Sequence, residues 1–203
     1  MAKQHRKPIV AIEVPTQHVA EDPGKDEQIW MHETEANILP HTLAYAHALP
    51  HLQNMRVLDI CCGTGYGTKL ISEVANKVIG IDYSTHAIAY ADAEHPSNVK
   101  FLCANVETTT IDDEIDVVTC MQGLEHLDDP KAVIEKYKDK LWLFALPRDK
   151  NESNSYHHHV ITETTIQEWF PKAKMWFFDD MGHWGEDPFG DFTNYFGMWR
   201  VEG

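Results

Sequence analysis

Apolar runs and helical patterns alternate along most of the chain beyond residue 56. The first run, 57–60, passes through a glycine-rich turn into a helical pattern with Leu70, Ile71 and Val74 on one face. Runs of this length are typical of strands buried on both faces, so the alternation predicts an α/β fold with a mostly parallel sheet. Strands are predicted at 57–60, 77–81, 98–106, 116–121 and 141–146, with strand-like runs at 175–178 and 194–201.

Capping residues mark the starts of three helices between these strands. Ser84 and Thr162 each carry a hydroxyl that can accept a hydrogen bond from the first turn of a helix. Asp129 can do the same, and Pro130 behind it suits the first helical position because its missing N–H needs no partner there. These signals place helices after the second, fourth and fifth predicted strands.

The N-terminal part of the chain follows a different pattern. Residues 1–28 mix Lys, Pro, Asp and Gly around one short apolar run and predict a loosely held lead-in. Residues 27–49 are helical in pattern, and Pro40 either divides this helix or opens its second piece. We predict an N-terminal extension with lid helices at 1–50 and a single globular domain at 51–203.

The turn after the first strand has residues that let a ligand approach the main chain. Gly63 and Gly65 place no side chain between backbone and ligand, and the next helix points its positive end at the same spot. Dinucleotide-binding sites share this order of strand, glycines and helix. Here, however, the spacing is G-x-G-x-G and Asp59 lies within the strand. Asp82, at the end of the second strand, is placed to accept hydrogen bonds from both hydroxyls of a ribose.

These features resemble motif I of the class I S-adenosylmethionine-dependent methyltransferases, and the resemblance continues over roughly residues 55–165. It is strongest to the broad type 11 group, several of which modify glycans, quinones or other small acceptors. The resemblance implies a Rossmann-like, doubly wound, mostly parallel seven-stranded sheet with a C-terminal antiparallel hairpin. The segments that carry it are Val57–Gly67, Val78–Ser84, Asn98–Val106, Asp116–Met121 and Gly123–Pro130.

The resemblance also implies a binding site for S-adenosylmethionine at the carboxyl ends of the strands. A helix-capping role is the alternative for Asp82, and a turn role is the alternative for Asn105. The implied donor residues are Asp59, Gly63, Thr64 and Gly65 at the methionine end and glycine loop, Asp82 at the ribose, Tyr83, Asn105 and Val106 at the adenine, and Met121 and Gln122 at the methyl group.

Methyl transfer from a sulfonium depends mainly on alignment, because the donor is already activated. The general base therefore stays open on sequence alone. The candidates are His126, His157, His158, His159 and Tyr156, which all lie in loops after predicted strands.

One local resemblance is to the small-RNA 2'-O-methyltransferases, in which Glu-x-x-Glu-His and a later His bind a divalent ion. In this chain Gln122 replaces the first carboxylate, and Glu125 and His126 follow. The resemblance implies a divalent metal held by Glu125, His126 and His159, with His126 and His159 as the catalytic candidates. We expect these three to converge, since the carboxyl ends of parallel strands share one edge. The alternative is that Glu125 and His126 order the loop, as in metal-free relatives.

Two segments could cover such a site. Family resemblance implies a lid whose Trp30, Met31, His32 and Tyr45 face donor or acceptor, whereas simple packing against the sheet is the alternative. The acidic, aromatic segment 179–192 is predicted to be a flap beside the acceptor cleft. Its alternative is an ordinary hairpin loop whose aromatic side chains fill the sheet edge.

Charge and cysteine content narrow the class of partner. A formal net charge of -15 opposes a nucleic-acid backbone, whose binding depends on neutralising phosphates. No apolar run approaches the ~20 residues of a membrane span, and 1–7 lacks the apolar core of a signal peptide, so a cytoplasmic location is predicted. The cysteines lack a C-x-x-C pair and are predicted to be reduced, buried thiols. They are Cys61, Cys62, Cys103 and Cys120.

The sequence therefore predicts an S-adenosylmethionine-dependent methyltransferase that acts on an oxygen of a small molecule or glycan, with nitrogen or carbon as the less favoured alternatives. Two other classes stay open. An NAD-dependent oxidoreductase is disfavoured by Asp59 and by the predicted C-terminal hairpin. A non-catalytic S-adenosylmethionine-binding or interaction protein would use the acidic, aromatic C-terminal segment.

Overall fold

Among the described residues, eight strands form one mixed sheet at the centre of the fold. The structure is a computed structural model that describes residues 35–94, 99–148, 157–186 and 192–201. The strands are β1 (Arg56–Ile60), β2 (Lys77–Asp82), β3 (Val99–Cys103), β4 (Val117–Met121), β5 (Leu141–Pro147), β6 (Lys174–Phe178), β7 (Trp184–Gly185) and β8 (Asn194–Trp199).

The strand order is β3-β2-β1-β4-β5-β8-β6-β7. The pairs β2·β3, β1·β2, β1·β4 and β4·β5 are parallel, whereas β8 runs antiparallel to both β5 and β6. The predicted α/β fold with a C-terminal antiparallel hairpin is confirmed. The difference is an eighth strand, because the two-residue β7 pairs with the end of β6 within the segment predicted to be a flap.

Five α-helices connect or cover these strands in the described part of the chain. The three predicted caps are confirmed by backbone N–H groups that donate to Ser84 Oγ (3.2 Å), Asp129 Oδ1 (3.0 Å) and Thr162 Oγ1 (3.2 Å). The helices are α1 (Glu35–Ala48), α2 (Tyr66–Ser72), α3 (Thr85–Glu94), α4 (Pro130–Lys136) and α5 (Glu163–Trp169), with 3-10 turns at Leu49–His51 and Leu124–His126.

The N-terminal helix is continuous across its proline. Pro40 lies inside α1 rather than dividing it, although its missing N–H removes one hydrogen bond of the helix. The lead-in 1–28 and the lid residues Trp30, Met31 and His32 lie outside the described residues. The boundary predicted for the N-terminal extension therefore stays a prediction.

The sheet separates two apolar cores. The alternation of side chains along β1 sends Leu58 and Ile60 to the core that contains α4 and α5, and Val57 to the core that contains α1 and α2. Because both faces are covered, the central strands are apolar throughout, as the sequence pattern predicts. No helix within the described residues has the length and apolar character needed to cross a membrane.

All four cysteines are free. Cys62 and Cys120 are buried and Cys61 is half-buried, but Cys103 is exposed. The prediction of burial is therefore wrong for Cys103, because β3 is the edge strand of the sheet and leaves this side chain without cover.

Candidate active site

The chain changes direction at the centre of the sheet, and this change creates a cleft. From β1 the chain proceeds outward to β2 and β3, and it then crosses to β4 on the other side of β1. The loops after β1 and β4 consequently leave the carboxyl edge in opposite directions. In open α/β sheets, ligands bind at such a switch point.

The loop between β1 and α2 has the left-handed backbone that its glycines allow. Gly63 has a φ of 53° and Gly65 a φ of 81°, and Gly65 directly precedes α2. A Cβ at Gly65 would lie 2.7 Å from the ring of Phe101 and 2.9 Å from Ala91, so packing as well as dihedral angle requires glycine there. Thr64, between the two glycines, is buried.

Asp59 lies beneath this loop and is fully buried. Its carboxylate accepts hydrogen bonds from Thr68 Oγ1 and Thr119 Oγ1, each at 2.6 Å, and from Tyr45 Oη at 3.2 Å. Burial raises the pKa of Asp59 to about 6, and the three hydroxyl donors oppose that rise. Asp59 therefore joins α1, α2 and β4 under the loop, and Tyr45 packs into the protein rather than forming a lid surface.

Asp82 connects the end of β2 to the same loop. Its Oδ2 accepts from the backbone N–H of Gly63 and its Oδ1 from that of Ser84, both at 2.9 Å. Burial raises the pKa of Asp82, while these backbone donors lower it. Each carboxylate oxygen can accept a further hydrogen bond, so the group is oriented and still able to bind a ligand hydroxyl.

The three residues predicted to contact the adenine lie around the ends of β2 and β3. Tyr83 is 56% exposed and Val106 is buried. Asn105 Oδ1 accepts from the backbone N–H of Glu107 at 2.8 Å, which is the turn role considered as its alternative. Lys136 Nζ fixes the loop by donating to the carbonyl oxygens of three residues. These are Val106, Glu107 and Thr109, at 2.7, 3.1 and 2.9 Å.

The loop after β4 begins with a left-handed residue that is not glycine. Met121 is buried, and Gln122 adopts a φ of 57°. Gln122 Nε2 donates to Asn194 Oδ1 at 2.9 Å, and Asn194 Nδ2 donates to Asp180 Oδ1 at 3.0 Å. This chain of hydrogen bonds links the predicted methyl-binding loop to the start of the β6–β7 segment. Sequence patterns cannot indicate it, since its members are far apart along the chain.

Glu125 and His126 form a cluster with His157, whereas the sequence predicted His159 in this place. Ligand atoms of Glu125, His126 and His157 lie within 4.8 Å of one another, and the rings of the two histidines are 5.0 Å apart. His159 is not part of this cluster. Its Nε2 donates to the carbonyl of Leu127 at 2.9 Å, and its ring packs edge-on against Trp169.

The expected convergence of His159 with Glu125 and His126 is therefore wrong, and His157 lies beside them instead; the metal and catalytic roles stay predictions. The orientation of each imidazole is set by the residues that it contacts. The positions of the histidines in the sequence do not reveal these contacts. Tyr156 and the loop 151–156 lie outside the described residues.

His41, on α1, is a site residue that the sequence analysis missed. Its Nδ1 lies 2.8 Å from Tyr66 Oη, in a hydrogen bond between α1 and the first residue of α2. Burial lowers the pKa of His41 to about 4, and the nearby His126 acts in the same direction. His41 is therefore neutral at pH 7. Nothing in the sequence around His41 indicates that this helical residue is buried beside Tyr66 and near His126.

The described part of the predicted flap is anchored by aromatic stacking. Trp184 stacks on Phe178 at 4.6 Å and on His47 of α1 at 4.1 Å between ring centroids. Asp179 fixes the turn by accepting from backbone and ring N–H groups of His183. Residues 187–191 lie outside the described part. Whether the segment contacts an acceptor stays a prediction.

Comparison with known proteins identifies the domain. A family model described as a methyltransferase domain matches residues 57–141. A ubiquinone biosynthesis O-methyltransferase of Paraburkholderia xenovorans is 32% identical over 143 residues, which are 66% of this chain and 61% of that protein. The protein of the same name from Hydrogenovibrio crunogenus is 28% identical over 145 residues, or 67% of this chain and 60% of that protein. The chain thus spans less than two thirds of the length of these relatives.

Solved structures share the fold at lower identity. A chain from the complex between the Haloferax volcanii Trm112 methyltransferase activator and a methyltransferase has a TM-score of 0.66 at 16% identity, covering 81% of this chain and 90% of that chain. The N-methyltransferase NodS of Bradyrhizobium japonicum, bound to S-adenosylhomocysteine, has a TM-score of 0.65 at 15% identity, covering 87% and 92%. The sequence match and the fold agree: residues 57–141 match a methyltransferase domain, and the described fold is similar to that of solved methyltransferases.

Proposed function

We propose that the protein transfers the methyl group of S-adenosylmethionine to an oxygen of a small molecule or glycan. The observation that carries this proposal is the pairing of Asp82 with the Gly63 N–H at the switch point of the sheet. This pairing holds a carboxylate and a glycine loop side by side at the carboxyl edge. The match to a methyltransferase domain supports the reaction class, and the O-methyltransferase names of the relatives favour oxygen.

In this proposal the donor lies across the carboxyl ends of β1, β2 and β4. Gly63, Thr64 and Gly65 bind the methionine end through the backbone, while Asp59 holds the loop from below. Asp82 accepts hydrogen bonds from the ribose. The remaining assignments are Tyr83, Asn105 and Val106 for the adenine and Met121 and Gln122 for the methyl group.

The chemistry required of the protein is alignment together with removal of a proton. Holding the acceptor oxygen in line with the methyl carbon and the sulfur accelerates transfer without covalent help. A hydroxyl acceptor must also lose its proton, and His126 and His157 provide two imidazoles at this edge of the sheet. His41 is a poor base at pH 7, since its pKa is about 4, but it can orient a hydroxyl by hydrogen bonding.

The same cluster fits a divalent transition metal. One carboxylate and two imidazoles form a mixed nitrogen and oxygen set, which suits such an ion better than Mg2+. A bound ion would act as a Lewis acid on the acceptor oxygen. Gln122 does not replace the charge of the missing second carboxylate, because its side chain is a neutral amide, and its Nε2 donates to Asn194. We therefore assign Glu125, His126 and His157 as the ligands and leave Gln122 and His159 out.

Release of S-adenosylhomocysteine from S-adenosylmethionine, measured with a panel of phenols, catechols and glycans, tests this function. An active acceptor should raise the rate well above the acceptor-free rate. His126→Ala and His157→Ala should each lower kcat by about 100-fold or more, the usual contribution of a general base. His159→Ala is the matched control and should retain activity if it folds, since this imidazole lies outside the cluster.

Chelation distinguishes a mechanism that uses a bound metal from one that uses an imidazole base alone. If exhaustive chelation abolishes turnover and Mn2+ or Zn2+ restores it, the cluster holds a metal. Full activity after chelation removes the metal from the proposal but keeps the imidazole base. Donor binding without turnover on any acceptor would instead favour a non-catalytic S-adenosylmethionine-binding protein.

A further inference from the structure

Cys61 departs from the strand pattern that its neighbours follow. Along β1, Leu58 and Ile60 face the core that contains α4 and α5, so the next residue would face the other side of the sheet. Cys61 instead adopts a φ of 55°, and its side chain packs against the same core, which also includes Cys120. Left-handed backbone is uncommon for a residue that is not glycine. Here it brings a second thiol to the side of the sheet where Cys120 lies.

The two sulfur atoms meet beside Gly123. A Cβ at Gly123 would lie 3.2 Å from Cys61 Sγ and 3.0 Å from Cys120 Sγ, so the glycine leaves room for both. Cys61 Sγ lies 3.9 Å from the Gly123 carbonyl oxygen. Burial raises the pKa of Cys120, and a hydrogen bond with the Cys61 thiol raises it further. Both thiols therefore lie against the same small space beside Gly123.

The backbone spacing at this point suits a covalent bond between the sulfurs. β1 and β4 are parallel neighbours with Asp59 opposite Thr119, so Cys61 lies one residue beyond the partner of Cys120. With ~4.8 Å between strands and a rise of ~3.3 Å per residue, two strand positions in this register have Cα atoms about 5.8 Å apart. Disulfides join Cα atoms that are ~4.4 to 6.8 Å apart. The link therefore needs little movement of the main chain.

We propose that Cys61 and Cys120 form a site of oxidative modification, at which a peroxide converts the two thiols into a disulfide. The half-buried Cys61 is the thiol that the oxidant reaches, and the buried Cys120 is the thiol that resolves it. The other two cysteines do not take part. Cys62 Sγ faces the Gly63 carbonyl at 3.8 Å and Cys103 is exposed on the edge strand.

The chemistry proceeds in two balanced steps. The Cys61 thiolate attacks one oxygen of hydrogen peroxide, the O–O bond breaks, and sulfenic acid and hydroxide form; the hydroxide takes up the thiol proton to become water. The Cys120 sulfur then attacks the Cys61 sulfur, the S–O bond breaks, and a second water leaves with the Cys120 proton. Two electrons pass from the thiols to the peroxide. The Cys120 thiol is buried, so it is reached by the neighbouring Cys61 sulfur rather than by the peroxide.

A Cys61–Cys120 disulfide would affect the binding of S-adenosylmethionine. This consequence rests on the proposed function. Cys61 is the first residue after β1 and comes two residues before Gly63, whose N–H is bonded to Asp82. An S–S bond of ~2.05 Å replaces a longer non-bonded contact and draws the start of the glycine loop toward β4. The disulfide form should therefore bind S-adenosylmethionine less tightly than the dithiol form.

Mass spectrometry of the full chain treated with hydrogen peroxide tests the modification. The intact mass should fall by about two hydrogen masses, peptide mapping should find Cys61 linked to Cys120, and dithiothreitol should restore the original mass. Cys61→Ser and Cys120→Ser should abolish the linked species, whereas Cys103→Ser, an exposed-thiol control, should not. Cys61→Ser lies at a half-buried position and keeps the test valid if Cys120→Ser fails to fold.

Two results would overturn the proposal. One is oxygen addition at Cys61 without a link, and the other is a disulfide that involves Cys103 or Cys62 instead. Calorimetry with S-adenosylhomocysteine should show at least about tenfold weaker binding to the disulfide form than to the dithiol form. If the dithiol form itself does not bind, the proposed function fails while the mapped disulfide still stands.

Discussion

Replacing Asp59 with Asn should remove a pH dependence that this carboxyl gives to the free energy of unfolding. Asp59 has a pKa of about 6 in the folded protein, against an ordinary value of 3.8. Between these values the native state binds more protons than the unfolded state, so the free energy of unfolding falls as the pH rises. The stabilising contribution is complete below the unfolded pKa and is lost as the pH rises through the folded one.

The structure sets the size of this effect. Burial is the largest cause of the raised pKa, while hydrogen bonds from Thr119, Thr68 and Tyr45 oppose it and the nearby Asp82 adds to it. A rise of about two pKa units corresponds to about 3 kcal/mol at ~1.4 kcal/mol per unit, which is an upper bound for one group. Asn has nearly the same shape and no charge at any pH, so it lacks this contribution to the pH dependence.

Urea unfolding of both proteins at closely spaced values between about pH 3.5 and pH 7.5 measures the effect. The stability of wild type relative to Asp59→Asn should fall by about 2 to 3 kcal/mol as the pH rises through about 6. Most other titrating groups cancel in the difference, except Asp82, which repels Asp59. Thr119→Val removes a donor that lowers the pKa and should move the transition to higher pH. A difference that is flat, or that rises with pH, would refute the reasoning.

Three further variants probe other contacts. Gly67→Ala should lower the free energy of unfolding by about 1 to 3 kcal/mol in urea titrations, because the new Cβ would lie 2.1 Å from the ring of Tyr45; unchanged stability would contradict this packing. Asn194→Ala removes the bridge between Gln122 and the β6–β7 segment and should raise the acceptor KM at unchanged secondary structure, whereas an unaltered KM would leave the bridge without a role in acceptor binding. Trp184→Ala removes two ring stacks and should lower the melting temperature; if the acceptor KM and kcat stay intact, the segment is a structural hairpin rather than a flap.

The parts of the fold that depend on local sequence could be predicted. Ser84, Asp129 and Thr162 cap their helices as expected, because a cap needs only a side-chain oxygen and the next turn of the chain. The glycine loop was equally accessible, since Gly63 and Gly65 are the residue type that left-handed backbone favours. Covered strands were evident from their unbroken apolar runs.

The rest depends on which way individual side chains turn. Cys61 and Gln122 adopt left-handed backbone although neither is glycine. Their residue types therefore do not predict these turns. The choice between His157 and His159 was decided by a backbone carbonyl and a tryptophan on another element. His41 reaches Tyr66 only because α1 packs against α2. Such features follow from tertiary contacts, which a pattern along the chain does not encode.

Binding of S-adenosylmethionine, measured by calorimetry, tests the central claim most directly. The wild-type protein should bind S-adenosylmethionine and S-adenosylhomocysteine and give no heat with NAD. Asp82→Ala should weaken binding by ~1.5 to 3 kcal/mol, about 10- to 150-fold, because charged hydrogen bonds to the ribose are lost. Asp92→Ala, which removes one exposed acid from α3, is the matched control and should bind as the wild type does. Equal affinity of Asp82→Ala and wild type, or binding of NAD in place of S-adenosylmethionine, would contradict the assigned site.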